Sequence, residues 1–194
     1  MVRELIIDAQ LMLGRKYFAE KDYHKALEHF LLAQVPDEEG GSARAGNREV
    51  QVNYYIGLAY EALGNKANAK NFFTLSSEQA VRATNYIRYY QGLSYIKLGN
   101  KTKATEVFNS LITSGDKLIG ESSNTDVDFF AKFGEREAEN ARLSNAYLLK
   151  GLGYKGLGDT KAATENLRKA VELSASNLYA SVELNNELNP SPCT

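Results

Sequence analysis

The side chains best suited to chemistry are few, and their spacing does not suit it. His24 and His29 are the only histidines. Five residues apart, they lie about 140° around a helix, so they do not form the one-face pair that a helical metal motif needs. The single cysteine, Cys193, is second from the end, which excludes an internal disulfide framework and every multi-cysteine metal motif. Asp126, Asp128, Glu135 and Glu137 make a carboxylate-rich stretch. It lacks the glycine and terminal glutamate of a calcium loop and reads as solvated acids at a helix start. Gly151, Gly153, Gly156 and Gly158 have the spacing of a dinucleotide fingerprint, but inside a helical pattern with no strand before it. No serine stands in a nucleophile-elbow context. The expectation is no catalytic residue, no metal, no cofactor, and a chain that is not an enzyme.

The composition excludes further classes. With 23 basic and 24 acidic residues among 194, the net charge of -1 gives no global field to hold a nucleic acid or an anionic membrane. No apolar run approaches the length of a membrane span, and residues 1–4 lead straight into an amphipathic segment without a signal-peptide core. The chain therefore reads as soluble and cytoplasmic, although a piece cut from a larger protein would read the same. Three prolines against 12 tyrosines and 8 phenylalanines suit long helices packed through aromatic rings.

The elements behind this pattern are repeated. Residues 54–73 (YYIGLAYEALGNKANAKNFF) and 89–108 (YYQGLSYIKLGNKTKATEVF) share Tyr-Tyr-x-Gly-Leu and then Leu-Gly-Asn-Lys. Upstream, Leu5, Ile6, Ala9, Leu13, Tyr17 and Phe18, then Tyr23, Ala26, Leu27, Phe30 and Ala33, are spaced by threes and fours. They predict two amphipathic helices broken near Glu20-Lys21-Asp22. Aligning Gly14, Gly57 and Gly92 places Tyr17 on Tyr60 and Tyr95, Ala26 on Ala69 and Ala104, and Phe30 on Phe73 and Phe108. A fourth copy carries Gly151, Tyr154, Gly158, Ala163, Leu167 and Ala170. Gly64-Asn65, Gly99-Asn100 and Gly158-Asp159 supply the turn, with Lys21-Asp22 in its place in the first copy.

These residues resemble the tetratricopeptide repeat, a helix-turn-helix unit of about 34 residues, at its eighth, eleventh, twentieth and twenty-seventh positions. The resemblance implies an all-α fold, an α-α superhelix of about four helix pairs ending in a capping helix. A single domain over 1–194 is expected, with repeats at about 7–36, 50–83, 85–118 and 144–175. Inserts fall at about 36–49 and 119–143, and the capping helix at about 176–188.

The stretch Pro36 to Arg48 reads as an exposed loop. In the second insert Phe129, Phe130 and Phe133 are too many rings to leave in water and should pack against the array, with the fourth first-helix beginning near Glu135. Over nearly the whole chain the order of the blocks resembles the C-terminal repeat region of large bacterial proteins that join this array to a domain of unknown function. That domain is expected to be carbohydrate-related.

By register, the second, fifth, ninth and twelfth positions of each unit face the concave side, where such arrays usually bind. They are Leu11, Arg15 and Phe18; Tyr54 and Leu58; Tyr86, Tyr89, Leu93 and Ile96; and Leu148, Leu152 and Lys155. This surface is apolar and tyrosine-rich, and it lacks the lysine, arginine and asparagine set that clamps a peptide's terminal carboxylate. The expected function is a protein-protein interaction scaffold that binds a peptide or protein domain. An accessory domain of a larger, carbohydrate-related bacterial enzyme and an RNA-binding helical repeat are the alternatives. The occupant of the apolar face stays open among the phenylalanine insert, the C-terminal helix, a second copy in a homodimer, a neighbouring domain and a separate partner. No nucleic acid and no membrane are expected among the partners.

Overall fold

A left-handed residue followed by a capping side chain sets the layout. In the computed structural model Gly64 and Gly99 have φ of 78°, Gly158 has 83° and Lys21 has 63°. That region is cheap for glycine and costs any other residue. The next residue closes the helix behind it, since the amides of Asp22, Asn65, Asn100 and Asp159 donate to the carbonyls of Tyr17, Tyr60, Tyr95 and Tyr154. The same residue opens the next helix. The side chains of Asp22, Asn65, Asn100 and Asp159 accept from the amides of Lys25, Asn68, Lys103 and Ala162 at 3.0–3.2 Å.

The structure describes residues 2–35, 48–81, 84–121 and 131–185. Among these lie nine α-helices and no strand: α1 (Val2–Ala19), α2 (Tyr23–Leu32), α3 (Arg48–Ala62), α4 (Lys66–Glu78), α5 (Ile87–Lys97), α6 (Lys101–Gly120), α7 (Ala131–Gly156), α8 (Thr160–Leu173) and α9 (Leu178–Leu184). The all-α fold of paired helices is the one the repeats predict. The expected packing of the phenylalanine insert falls outside the described side chains, as do Asp126, Asp128 and Glu135 of the calcium reading, whose fourth acid, Glu137, is exposed.

The chain divides into two compact units, residues 1–83 with 90–104 and residues 84–89 with 105–194, so α5 and α6 contribute to both. In the first unit α1 pairs with α2, α2 packs on α3, and α3 pairs with α4. Its centre is a cluster of rings: Tyr54, Tyr55 and Tyr90 have centroids 5.5–5.7 Å apart, with Phe30 against Tyr55 and Phe73 against Tyr54. Ser94 Oγ donates to Ser76 Oγ, which donates to the Val50 carbonyl, both at 2.8 Å, so these buried hydroxyls are satisfied.

In the second unit α7 pairs with α8, and α9 packs on both. Glycines bring α7 against its neighbours. A Cβ at Gly153 would stand 2.6 Å from Ile112 and 2.7 Å from the Phe108 carbonyl, and one at Gly156 would strike the Phe108 ring. Gly151, Gly153 and Gly156 of the glycine cluster are thus packing positions, and Gly158 is the turn residue. The eighth-position glycines behave alike, with Gly14 closed by Phe30, Gly57 by Phe73 and Gly151 by Leu167.

Three expectations are corrected. Arg48 is not in an exposed loop: it is the buried first residue of α3, where Glu4 and Asp8 of α1 neutralise its guanidinium. Helix α7 begins at Ala131, four residues before Glu135. On α1 the periodic residues Leu5, Ile6, Ala9 and Leu13 are exposed, and Ile7 and Leu11 are buried instead. Register gives the reason. Ala9, Met12 and Leu13 align with Val52, Tyr55 and Ile56 of α3, buried in a helix that packs on α2, whereas among the described residues no helix precedes α1.

Candidate partner-binding face

In the first unit the turn at Lys21 and the capped turn at Asn65 fix the ends of α1 and α3, and with them the inner-face register. Leu11, Tyr54, Leu58 and Leu93 are buried in the core, and Tyr54 belongs to the ring cluster. Arg15, Phe18 and Ile96 are half-buried. The Arg15 guanidinium lies 5.4 Å from the Tyr55 ring centroid, within cation-π range. Phe18 is tilted against Tyr23 at 5.1 Å. Of the expected inner-face residues in this unit, these three keep surface to offer a partner: one cation, one ring and one aliphatic chain.

In the second unit Tyr89, Leu148 and Leu152 are buried, and the Tyr89 ring lies 5.9 Å from Phe108. Tyr86 and Lys155 are half-buried, and α9 meets both. Tyr179 stacks on Tyr86 with centroids 4.0 Å apart. The Lys155 ammonium donates to the Glu183 carbonyl at 3.0 Å and pairs with its carboxylate at 3.1 Å. The C-terminal helix, one of the open occupants, therefore holds these two positions. Tyr179 and Glu183 are contacts that the sequence reading missed. Their one signal is that Tyr179 lies one repeat of about 34 residues beyond Asn145, the second residue of the fourth unit.

Among the described residues no group of three or more His, Cys, Asp or Glu could hold a metal. His29 stacks on Tyr17 at 5.2 Å and bonds Gln10 through Nδ1 at 2.7 Å, a packing role. The Lys25 ammonium beside Asp22 holds that carboxyl below its usual value, and Arg142 does the same for Glu139. Both are surface ion pairs.

The described surface includes three clefts. One of about 310 Å³ is lined by Arg3, Arg48, Gln34 and Asn53, but its cations already meet carboxylates: Glu49 beside Arg3, and Glu4 and Asp8 beside Arg48. A second, of about 230 Å³, has Lys66, Lys70 and Lys97, the last paired with Glu61 at 2.6 Å. A third, of about 270 Å³, is lined by serines and asparagines at the α8–α9 turn. No helix among the described residues is long and apolar enough to cross a membrane.

Two tetratricopeptide repeat models match the chain, one over residues 144–177 and the other over residues 51–75 and 86–114. The α1–α2 pair lies outside both matches. No curated protein matches the chain.

Proposed function

We infer that this chain, a tetratricopeptide repeat protein, is a non-enzymatic scaffold that binds a peptide or protein domain on the inner face of its first-helix elements. Repeats of this family generally mediate protein-protein contacts and are typically non-catalytic. The observation that carries the finer reading is in the first unit. At inner-face register Arg15, Phe18 and Ile96 keep accessible surface over the buried floor of Leu11, Tyr54, Leu58 and Leu93. A guanidinium, a ring and an aliphatic chain at one register suit an amphipathic segment, because such contacts combine apolar burial with one charge to fix direction.

The test is selection of peptides from a display library against the whole chain, then titration of the best ligand into single variants. Phe18→Glu, Arg15→Glu and Ile96→Glu should each weaken binding by about tenfold or more, a loss of at least about 1.4 kcal/mol. Lys70→Glu, on α4, should leave it unchanged. Selected ligands that ignore all three inner-face changes and respond to Lys70 would refute the assignment.

A second reading, an accessory domain within a larger bacterial protein, has its own support in the exposed stripe of Leu5, Ile6, Met12 and Leu13 on α1. Of the equivalent α3 residues Tyr55 and Ile56 are buried, and the Tyr55 ring meets Phe30 of α2, so a neighbouring folded unit would cover Met12 and Leu13 in the same way. The RNA-binding reading has less support, since base stacking needs open rings, and Tyr54 and Tyr89 are buried.

A further inference from the structure

Helix α9 is seven residues long and carries two side chains on one face, Tyr179 and Glu183, one turn apart. Each finds a dedicated partner. The Tyr179 ring stacks on Tyr86, just before α5, and the Glu183 carboxylate meets the ammonium of Lys155 in the last turn of α7. The acidic side chain is almost fully enclosed, at 3% exposure, against 15% for the lysine. A buried carboxylate is tolerable only with such a partner. Asn177 fixes where the helix starts: its oxygen caps the Ala180 amide, and its nitrogen donates to Ser144 Oγ of α7 at 2.9 Å.

A helix of this length does not persist in water by itself, so its helicity depends on being docked. Its other side is spare, with Leu178 still 45% exposed, and no second helix closes a pair with it among the described residues. It thus resembles a bound ligand tethered by a four-residue turn more than half of a repeat.

We propose that the surface formed by Tyr86 and Lys155 is a binding site for a short helix, and that α9 is its resident, exchangeable occupant. The external partner is a protein segment that presents an aromatic residue and, one helical turn later, a carboxylate, the chemistry of Tyr179 and Glu183. The proposal rests on the inner-face reading above and names the partner class for the second unit. Tethering gives α9 a high effective concentration, so a free segment of equal quality competes poorly until α9 is loosened.

The experiment uses the full chain and a labelled peptide of sequence SNLYASVELN, residues 176–185. Fluorescence anisotropy should show the Tyr179→Ala/Glu183→Ala chain binding the peptide about tenfold or more tightly than the wild type, because the resident competitor is weakened. Adding Lys155→Glu to that chain should abolish binding, and a peptide with lysine in place of its glutamate should restore it. Peptide binding that is absent from the loosened chain, or indifferent to charge reversal, overturns the proposal. So does loss of cooperative melting in the double variant, which would make α9 a strut.

Hydrogen exchange on the wild type gives a second check: α9 amides should open about a hundredfold more readily than those of α7 and α8, and equal protection also overturns the proposal. Failure of the loosened chain to bind the peptide, while a display-selected ligand still binds through Arg15, Phe18 and Ile96, would sink this inference and leave the proposed function standing.

Discussion

Replacing Gly57 with valine tests the register on which the whole reading depends. A Cβ there would lie 2.6 Å from Phe73 Cε1, 2.7 Å from Cδ1 and 3.1 Å from Cζ. Carbon atoms prefer about 3.5–4.0 Å, so the ring must withdraw by about 1 Å. Phe73 is buried, and its ring already packs against Tyr54 at 6.0 Å, so withdrawal disturbs the aromatic cluster. Overpacking of this kind costs about 1–3 kcal/mol. Exchanging glycine for valine in a helix returns only a few tenths of a kcal/mol.

The expected net loss is about 2 kcal/mol, a fall in melting temperature of about 4–8 °C for a chain of this size, read by circular dichroism. Phe73→Leu should rescue part of it, since Gly151 faces Leu167 in the fourth unit, and the double variant should fall short of the summed losses by at least about 0.5 kcal/mol. Gly120→Ala is the control, with no atom within 4 Å of its added carbon. A Gly57→Val chain that melts at or above the wild type, or strict additivity with Phe73→Leu, would refute the close approach of α3 and α4.

Other perturbations give graded outcomes. Asn65→Ala removes the cap on the Asn68 amide and should cost about 1 kcal/mol, seen as a lower urea midpoint with an unchanged slope. Asp22 is held below its ordinary value chiefly by its side-chain bond to Lys25. Its contribution is therefore complete above the unfolded carboxyl value of about 3.9 and fades as pH falls through the lowered folded value. Amide exchange at the start of α2 should quicken only in that acid range, and Asp22→Asn should remove the dependence. Leu5→Glu, at a side chain 65% exposed on α1, should leave the melting temperature within about 1–2 °C; a larger fall would mean that this stripe is covered in solution.

What was legible in the sequence was mostly local. Gly64-Asn65 and Gly158-Asp159 announce their turns because left-handed backbone and side-chain capping are decided within a few residues. Gly14, Gly57 and Gly151 announce close helix pairs because each recurs at a fixed distance from Phe30, Phe73 or Leu167. Other features depend on long-range partners. Spacing showed that α1 is amphipathic but not that Ile7 and Leu11 face inward while Leu5 and Leu13 face out. That depends on which neighbours exist on either side.

Arg48 resembled a loop residue because its two carboxylates are 44 and 40 positions away. Tyrosine fits either a core or a binding surface, so register alone did not separate buried Tyr54 and Tyr89 from half-exposed Tyr86. The contact between Tyr86 and Tyr179 joins distant parts of the chain and left only the faint trace of a shared repeat position.

The central claim is that the inner face of the first helices carries the binding function. Its most direct test is amide chemical-shift mapping of the full chain with a display-selected ligand bound. The account predicts perturbations centred on Arg15, Phe18 and Ile96 and their immediate neighbours, Tyr23 at the start of α2 among them, with the rest of α2 and α4 unaffected. Perturbations centred on α2 and α4, with those three residues silent, would contradict it.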